Sequence, residues 1–289
     1  MDNQGLFVIP PKPIPMELNA LLAHQAVLPS APKVVALLHA ELGQPQPDLR
    51  KICQLVGNDV ALAAGLLQRA NASELALPRK LGGVSEALAV LSLAQVRALV
   101  DTASLGTTLT SIPGVNLQQF WRYSLDTARV ARSLAACVKQ NQGMAYTAGL
   151  LHAMGELFMH LGMPDAMARL DTEVPPLDLA RVKAERHALG FTYAQVSAGM
   201  AQQWRFPQAL VDALAYQLAP FDGDICDPLA AVLHLAAWRA RARAAQLGDR
   251  ALAVSYPDEV GLTLGLDIDM VLQQTPIDWT QHDGVELLV

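Results

Sequence analysis

What most restricts this chain is that no segment alternates apolar and polar residues for long enough to make a half-buried strand. Apolar residues recur at three- and four-residue spacing instead, in short segments separated by Pro, Gly, Asn, Asp and Ser. Ser30 is expected to cap a helix with Pro32 in its first turn and Val34, Val35, Leu37, Leu38 and Leu42 on one face. Asp48 is the next natural cap, for LRKICQLV, and Asn58 or Asp59 caps VALAAGLLQRAN. Ser85 begins EALAVL and Ser92 begins LAQVRALVDTASL, after which Pro113-Gly114 is the strongest break in the middle of the chain. Asn116 then caps a long helix through about Lys139, with Phe120, Leu125, Ala128, Ala131, Leu134 and Ala135 as its inward stripe. Further helices are read over AYTAGLLHAMGELFMHL up to Pro164, over LDLARVKAERHAL to Gly190, and from Thr192 through Trp204. Pro207 and Asp227 open two more. The fold class that follows is all-α, in two packed helical lobes that meet near Pro113-Gly114.

Composition narrows the function. Of 289 residues, 52% are hydrophobic and 17% charged, so most of the chain can bury a core and is not disordered. The formal charge of −6 repels phosphate backbones and anionic lipid, so nucleic acid is disfavoured and would need a local basic patch. Arg239, Arg241 and Arg243, with Arg250 beyond them, form the one basic concentration. At about 100° per residue Arg239 and Arg243 share a helix face while Arg241 points elsewhere, and a solvated face is the expected reading. The three cysteines, Cys53, Cys137 and Cys226, have no C-x-x-C spacing and suggest neither a zinc knuckle nor a disulfide framework, which fits a reducing cytoplasm. The start, MDNQGLFVIPPKPIP, lacks the basic and apolar regions of a signal peptide, and its prolines at 10, 11, 13 and 15 favour an extended or irregular arm. The longest uncharged stretch, 102–121, is too polar and too broken to span a bilayer, so no membrane association is expected.

No Gly-rich phosphate loop, G-x-S-x-G elbow or HExxH is present. The string Leu150-Leu151-His152-Ala153-Met154-Gly155-Glu156-Leu157 is the most suggestive, with a His in an apolar segment and an acid one turn later. It resembles LLHDIGKL of the HD phosphohydrolase superfamily, helical enzymes whose His and Asp residues hold divalent ions. Flanking blocks resemble one branch, the HDOD domain. Leu28-Pro29-Ser30-Ala31-Pro32 is similar to its opening LPSLP, and 58–67 with Arg69-Ala70-Asn71 to its DPALAARLLRLAN block. Val84-Ser85-Glu86-Ala87, Val96-Arg97, Phe120-Trp121-Arg122, the Ala148 to His152 turn, Glu185-Arg186 with Gly190, and Trp204-Arg205-Phe206-Pro207 follow in the family's order. The resemblance spans roughly residues 25–245. It implies an arm over 1–24, an HDOD domain over 25–250 with an N lobe at 25–113 and an HD-like C lobe at 114–250, and an extension at 251–289. It also implies a place in bacterial signalling.

Carried over residue by residue, the resemblance places a first His ligand at Tyr123, the His-Asp pair at His152-Ala153 and the distal Asp at Ala237. Only His152 keeps a ligand. Tyr193 and Tyr216 lie near where two-metal relatives have further His residues, and Glu156 stands in the usual Lys position. A catalytic divalent site needs at least three protein ligands and an open position, so no metal, no cofactor and no catalytic residue is expected. A site rebuilt from His152, Glu156 and His160 is disfavoured because eight residues span about 12 Å of helix. His152 is expected as a hydrogen-bonded histidine between helices, Tyr123 and Tyr193 as core aromatics with satisfied hydroxyls, and Met154, Met159, Met163 and Met167 as core. His152 and Glu156 are the residues of any surviving ligand pocket. The functional expectation is a non-catalytic bacterial signal-transduction protein acting by protein recognition through an HDOD domain, with room for a small ligand. The alternative is a metal-dependent phosphohydrolase or phosphodiesterase with a divergent HD site. Expected partners are signalling proteins, with cyclic-di-nucleotide pathway components as one class.

Overall fold

The computed structural model describes residues 17–24, 26–75, 77–106, 111–222 and 226–273. The first part is a cluster of short helices: α1 (Leu18–Ala23), α2 (Pro32–Leu42), α3 (Leu49–Gly57), α4 (Val60–Ala70), α5 (Val84–Val90) and α6 (Leu93–Gly106), with one 3-10 turn at Ser73–Leu75. The second part contains α7 (Leu117–Cys137), α8 (Gln142–Leu151), α9 (Met154–Gly162), α10 (Pro164–Glu173), α11 (Arg181–Leu189), α12 (Tyr193–Gln203), α13 (Gln208–Tyr216) and α14 (Pro228–Ala244). Three short helices follow, α15 (Asp249–Ser255), α16 (Asp258–Leu264) and α17 (Ile268–Gln273). The fold is all-α: among the described residues the one β pairing is an isolated bridge, Ile112 to Val115, that closes the turn at Pro113-Gly114. No helix among them is long and apolar enough to cross a membrane.

Polar side chains set several of the helix starts. Asp48 accepts from the backbone N–H groups of Arg50 and Lys51, Asp59 from Leu62, Asn116 from Gln119 and Asp227 from Ala230. Thr192 and Gln195 form a reciprocal capping box at α12. Each such cap is worth about 0.5–2 kcal/mol. Two expected starts are corrected. The first residue before α2 is Ala31, and Ser30 donates instead to the buried Asp59 carboxylate at 3.0 Å, with Ala31 N–H on its other oxygen at 2.7 Å. Asp59 thereby ties the start of α2 to the start of α4. Ser85 lies inside α5, which begins one residue earlier after Gly83.

Two further departures concern longer segments. Pro164 does not end helical structure but opens α10, since Pro fits the first helical position where its missing N–H is no loss. The single helix expected through LLHAMGELFMHL is broken at His152-Ala153 into α8 and α9.

One apolar cluster runs from Leu21 through both lobes to Ala240, joining α2 to α6 with α7 to α13, and it contains Met154, Met159, Met163 and Met167. Tyr146 on α8 reaches across to donate to the Gly57 carbonyl at 3.0 Å. α7 packs along α8 and α14, and α1 lies against α9 and α12 with Leu21 buried. The extended arm expected over residues 1–15 lies outside the described residues. A second cluster, including Leu134, Leu235, Trp238, Tyr256 and Leu266, fastens α16 and α17 to α14.

Candidate functional site

The α8–α9 break builds the site. His152 takes near-helical angles, φ −55° and ψ −38°, but Ala153 sits at φ −105° and ψ 12°, which turns the chain. Its cause is tertiary. The His152 carbonyl, freed from the helix, accepts from Ser197 Oγ at 3.1 Å and from Gln217 Nε2 at 3.0 Å, while Ser197 Oγ accepts from the Gly155 N–H at 2.9 Å. Gly155 is required by this contact: a Cβ there would collide with the Tyr193 carbonyl oxygen and come within 2.9 Å of Ser197 N. Gly149, one turn before His152, likewise lies against the α7 backbone, where a Cβ would stand 2.5 Å from Ala128 Cα.

His152 is fully buried, and its Nδ1 lies 2.7 Å from the Gly149 carbonyl. A carbonyl can only accept, so Nδ1 carries the proton and Nε2 of the neutral ring is an acceptor. That Nε2 has no hydrogen-bond partner among the described residues. Burial, reinforced by the Arg241 cation and opposed by the Gly149 carbonyl, holds the His152 pKa down at about 3.

The Tyr123 ring meets His152 edge-on at 4.7 Å between centroids. On its other side lies Arg241 of α14, with Cζ 5.9 Å from the Tyr123 centroid. Arg241 Nη2 donates to the Tyr193 hydroxyl at 3.3 Å, and burial pushes the Tyr193 phenol upward so that it stays neutral. The Tyr123 hydroxyl and Arg241 Nε are buried, and the hydroxyl lies close enough to the guanidinium to stabilise its charge. Tyr193 thus is a core aromatic with a satisfied hydroxyl, and Tyr123 is a core aromatic whose hydroxyl faces Arg241. Ala153 is 4% exposed beside His152, and Ala237 is 9% exposed one helical turn before Arg241. Tyr216 is an exposed residue at the end of α13. The structure therefore gathers Tyr123, His152, Tyr193 and Arg241 into one contact chain, with Ala153 and Ala237 adjoining it along their helices.

Glu156 belongs to a different cluster. Because the chain turns at Ala153, the one-turn spacing of His152 and Glu156 does not put them on one continuous helix face. Glu156 Oε2 lies 3.5 Å from Arg181 Nη2 and 3.9 Å from His160 Nδ1. Arg181 is wholly buried and reaches three carboxylates: Asp171 Oδ1 at 2.7 Å, Glu185 Oε1 at 3.0 Å and Glu156. The carboxylates raise the guanidinium against the opposing effect of burial. The other Asp171 oxygen meets His160 Nε2 at 2.9 Å, and the other Glu185 oxygen accepts from the Tyr193 N–H at 2.9 Å, capping α12. Burial, then repulsion from Glu185, outweighs Arg181 and pushes the Glu156 carboxyl well above the ordinary carboxylate range. A guanidinium thus fills the centre of the acidic side chains. Among the described residues no group of three His, Cys, Asp or Glu is disposed to hold a metal ion, and the rebuilt set of His152, Glu156 and His160 is not assembled.

Sequence reasoning did not find Arg181, Asp171 or Arg241 as site residues. The Arg181–Glu185 pair is visible as an opposite-charge pair one turn apart, but Asp171 and Glu156 join it only through tertiary packing. The solvated face expected for the arginine cluster is also corrected. Arg241 points into the site, and Arg243 pairs with the nearly buried Asp126 at 3.0 Å.

A protein of Treponema pallidum (strain Nichols), itself uncharacterized, is 24% identical over 196 residues, covering 65% of this chain and 37% of that protein. The chain therefore spans little more than a third of the length of that curated relative. The fold is similar to the crystal structure of the MmoQ response regulator from Methylococcus capsulatus, with a TM-score of 0.68 at 23% identity over 91% of this chain and 98% of that one. It is also similar to a protein from Shewanella amazonensis described as a candidate phosphohydrolase, with a TM-score of 0.54 at 23% identity over 91% of this chain and 95% of that one. The family model for the HDOD domain matches residues 28–220, from the LPSAP opening to the end of the α13 turn. By that match, this chain is a member of the HDOD domain family.

Proposed function

We propose that this chain is a non-catalytic HDOD module of bacterial signal transduction that works in the cytoplasm by recognising another protein. The observation that carries the reading is the chemistry at the HD-like position. A phenol, one imidazole and two methyl groups, at Tyr123, His152, Ala153 and Ala237, lie buried where the family resemblance implies metal ligands. Such a set supplies one nitrogen ligand, and a divalent ion that activates water needs at least three protein ligands. Arg241 adds a fixed positive charge at the same place, which further disfavours a cation there. The likeness to a response regulator agrees with a signalling role.

Recognition is proposed to lie on the surface, and Leu179 at 65%, Val254 at 82% and Leu262 at 81% are large apolar residues exposed enough to test it. The test is capture of partners from the source organism by the wild-type chain and by Leu179→Ser, Val254→Ser and Leu262→Ser. Specific capture lost in at least one folded variant is the expected result. Hydrolysis of bis(p-nitrophenyl) phosphate with Mn, Fe or Mg, lost in His152→Ala, is the result that overturns the reading in favour of the phosphodiesterase alternative.

A further inference from the structure

α1 is held on the protein by three leucines. Leu18, Leu21 and Leu22 stand at i, i+3 and i+4 on one face of a six-residue helix, while Glu17, Asn19, Ala20, Ala23 and His24 are exposed. Leu21 is buried, and Leu18 and Leu22 are half-buried against the main core. Among the described residues no side-chain hydrogen bond or ion pair joins α1 to α9 and α12 beneath it. Two glycines receive the leucines. A Cβ at Gly162, the last residue of α9, would collide with Leu21 Cδ1, and one at Gly199, inside α12, would stand 2.6 Å from Leu22 Cδ1. The three nearest atoms at Gly199 all belong to Leu22, and those at Gly162 belong to Leu21 and His24, so these notches face α1. Glycine inside a helix weakens it relative to alanine, and Gly199 gives up that stability to admit one leucine.

The attachment is weak and local. A helix of six residues does not persist in water by itself, and burial of one whole leucine and parts of two has to offset the ordering of the chain from Glu17 to His24. Beyond it Val27 is exposed, and the chain is fixed again from Leu28, Pro29 and Ser30, which are buried, with Ser30 bound to Asp59. α1 is therefore a unit of low local stability, tethered to a body whose start is anchored separately.

We propose that the seam between α9 and α12, with its notches at Gly162 and Gly199, is a docking groove for an amphipathic partner helix bearing leucines at i, i+3 and i+4. α1 is the chain's own occupant, displaced when the partner binds. Its seating states the partner's chemistry, because it shows the spacing and side-chain size that the two notches accept. The same seam begins where Gly155 of α9 meets Tyr193 and Ser197 of α12, and Ser197 holds the His152 carbonyl, so the groove is continuous with the α8–α9 break. The inference rests on the reading of the chain as a protein-recognition module and names the surface and the class of partner.

The test uses the whole chain and a fluorescein-labelled peptide of residues 16–26, followed by anisotropy. Leu21→Asp/Leu22→Asp, which empties the groove in cis, should bind the peptide saturably and at least about tenfold tighter than wild type, since a groove about nine-tenths occupied masks its affinity by that factor. A peptide carrying the same two aspartates should not bind, and adding Gly199→Gln to the chain should abolish binding. In wild type, the amides of α1 should exchange with deuterium at least about tenfold faster than those of α12. No binding by the double variant, equal binding by wild type, or undiminished binding with Gly199→Gln overturns the groove. Amides of α1 that exchange as slowly as those of α12 overturn its displacement. If the double variant does not fold, Leu22→Asp, at a half-buried position, takes its place, and loss of the fold in both overturns displacement because α1 is then integral to the core. A wild-type dimer in light scattering that Leu21→Asp dissociates assigns the groove to a second copy and overturns the partner. Metal-dependent phosphodiester hydrolysis lost in His152→Ala overturns instead the recognition reading beneath, so the two failures are distinct.

Discussion

Arg241 lies over the face of Tyr123, its Cζ 5.9 Å from the ring centroid, while the ring's neighbour on another side is His152 at 4.7 Å. A side chain from α7 thereby touches both the histidine at the end of α8 and the cation of α14. Restoring one carboxylate beside this arrangement does not rebuild an HD centre. Ala153→Asp should acquire neither stoichiometric Mn nor phosphodiesterase turnover, because Tyr123 and Ala237 still supply no ligand. The variant should also lose about 1–3 kcal/mol by denaturant titration, since Ala153 is 4% exposed.

Arg181 holds together α9, α10, α11 and α12 through Glu156, Asp171 and Glu185. Arg181→Met leaves three buried carboxyl groups without their cation. A loss of about 3–5 kcal/mol in urea unfolding is expected, and Arg181→Lys should recover only part of it, because an ammonium cannot match the divergent fork.

The cap residues Asp48, Asn116 and Asp227 and the all-α class were legible because they depend on neighbours within one turn. The α8–α9 break was not. Its partners, Ser197 and Gln217, are 45 and 65 residues away and act through a backbone carbonyl that no side-chain pattern marks. The family's order of blocks singled out Tyr123, His152 and Tyr193, which the fold brings into one contact chain, and helical geometry separated Arg241 from Arg239 and Arg243. What Arg241 faces depends on how α14 packs on α7, which spacing does not encode.

Glu156 and His152 give opposite pH signatures. The folded Glu156 pKa is raised above its usual 4.5, so the native state holds that proton longer. Its contribution is fully present below pH 4.5 and is lost as pH rises through the folded pKa. Glu156→Gln, which mimics the protonated form, should be at least as stable as wild type at neutral pH and should reduce the fall in stability as pH rises. Urea midpoints of both proteins from pH 5 to 9 check this.

For His152 the folded pKa is depressed from 6.5 to about 3, so the unfolded chain takes up the proton first. Its contribution is intact above pH 6.5 and declines as pH falls toward 3. His152→Gln should lower stability at pH 7.5 and flatten the decline between pH 6.5 and 4. Equal slopes in both proteins would show that the ring is not held neutral.

Gly155 is the position where α9 meets α12 backbone to backbone. Gly155→Ala should lose about 1–3 kcal/mol by thermal or urea unfolding despite the better helix propensity of Ala, because the obstructing atoms are the Tyr193 carbonyl and Ser197 amide rather than a movable side chain.

The most direct measurement is the metal content of the purified chain after saturation with Mn, Fe or Mg and removal of free ion, with His152→Ala alongside. The account predicts well under one ion per chain for both proteins. One or more ions per chain in wild type, lost in a folded His152→Ala, would contradict it.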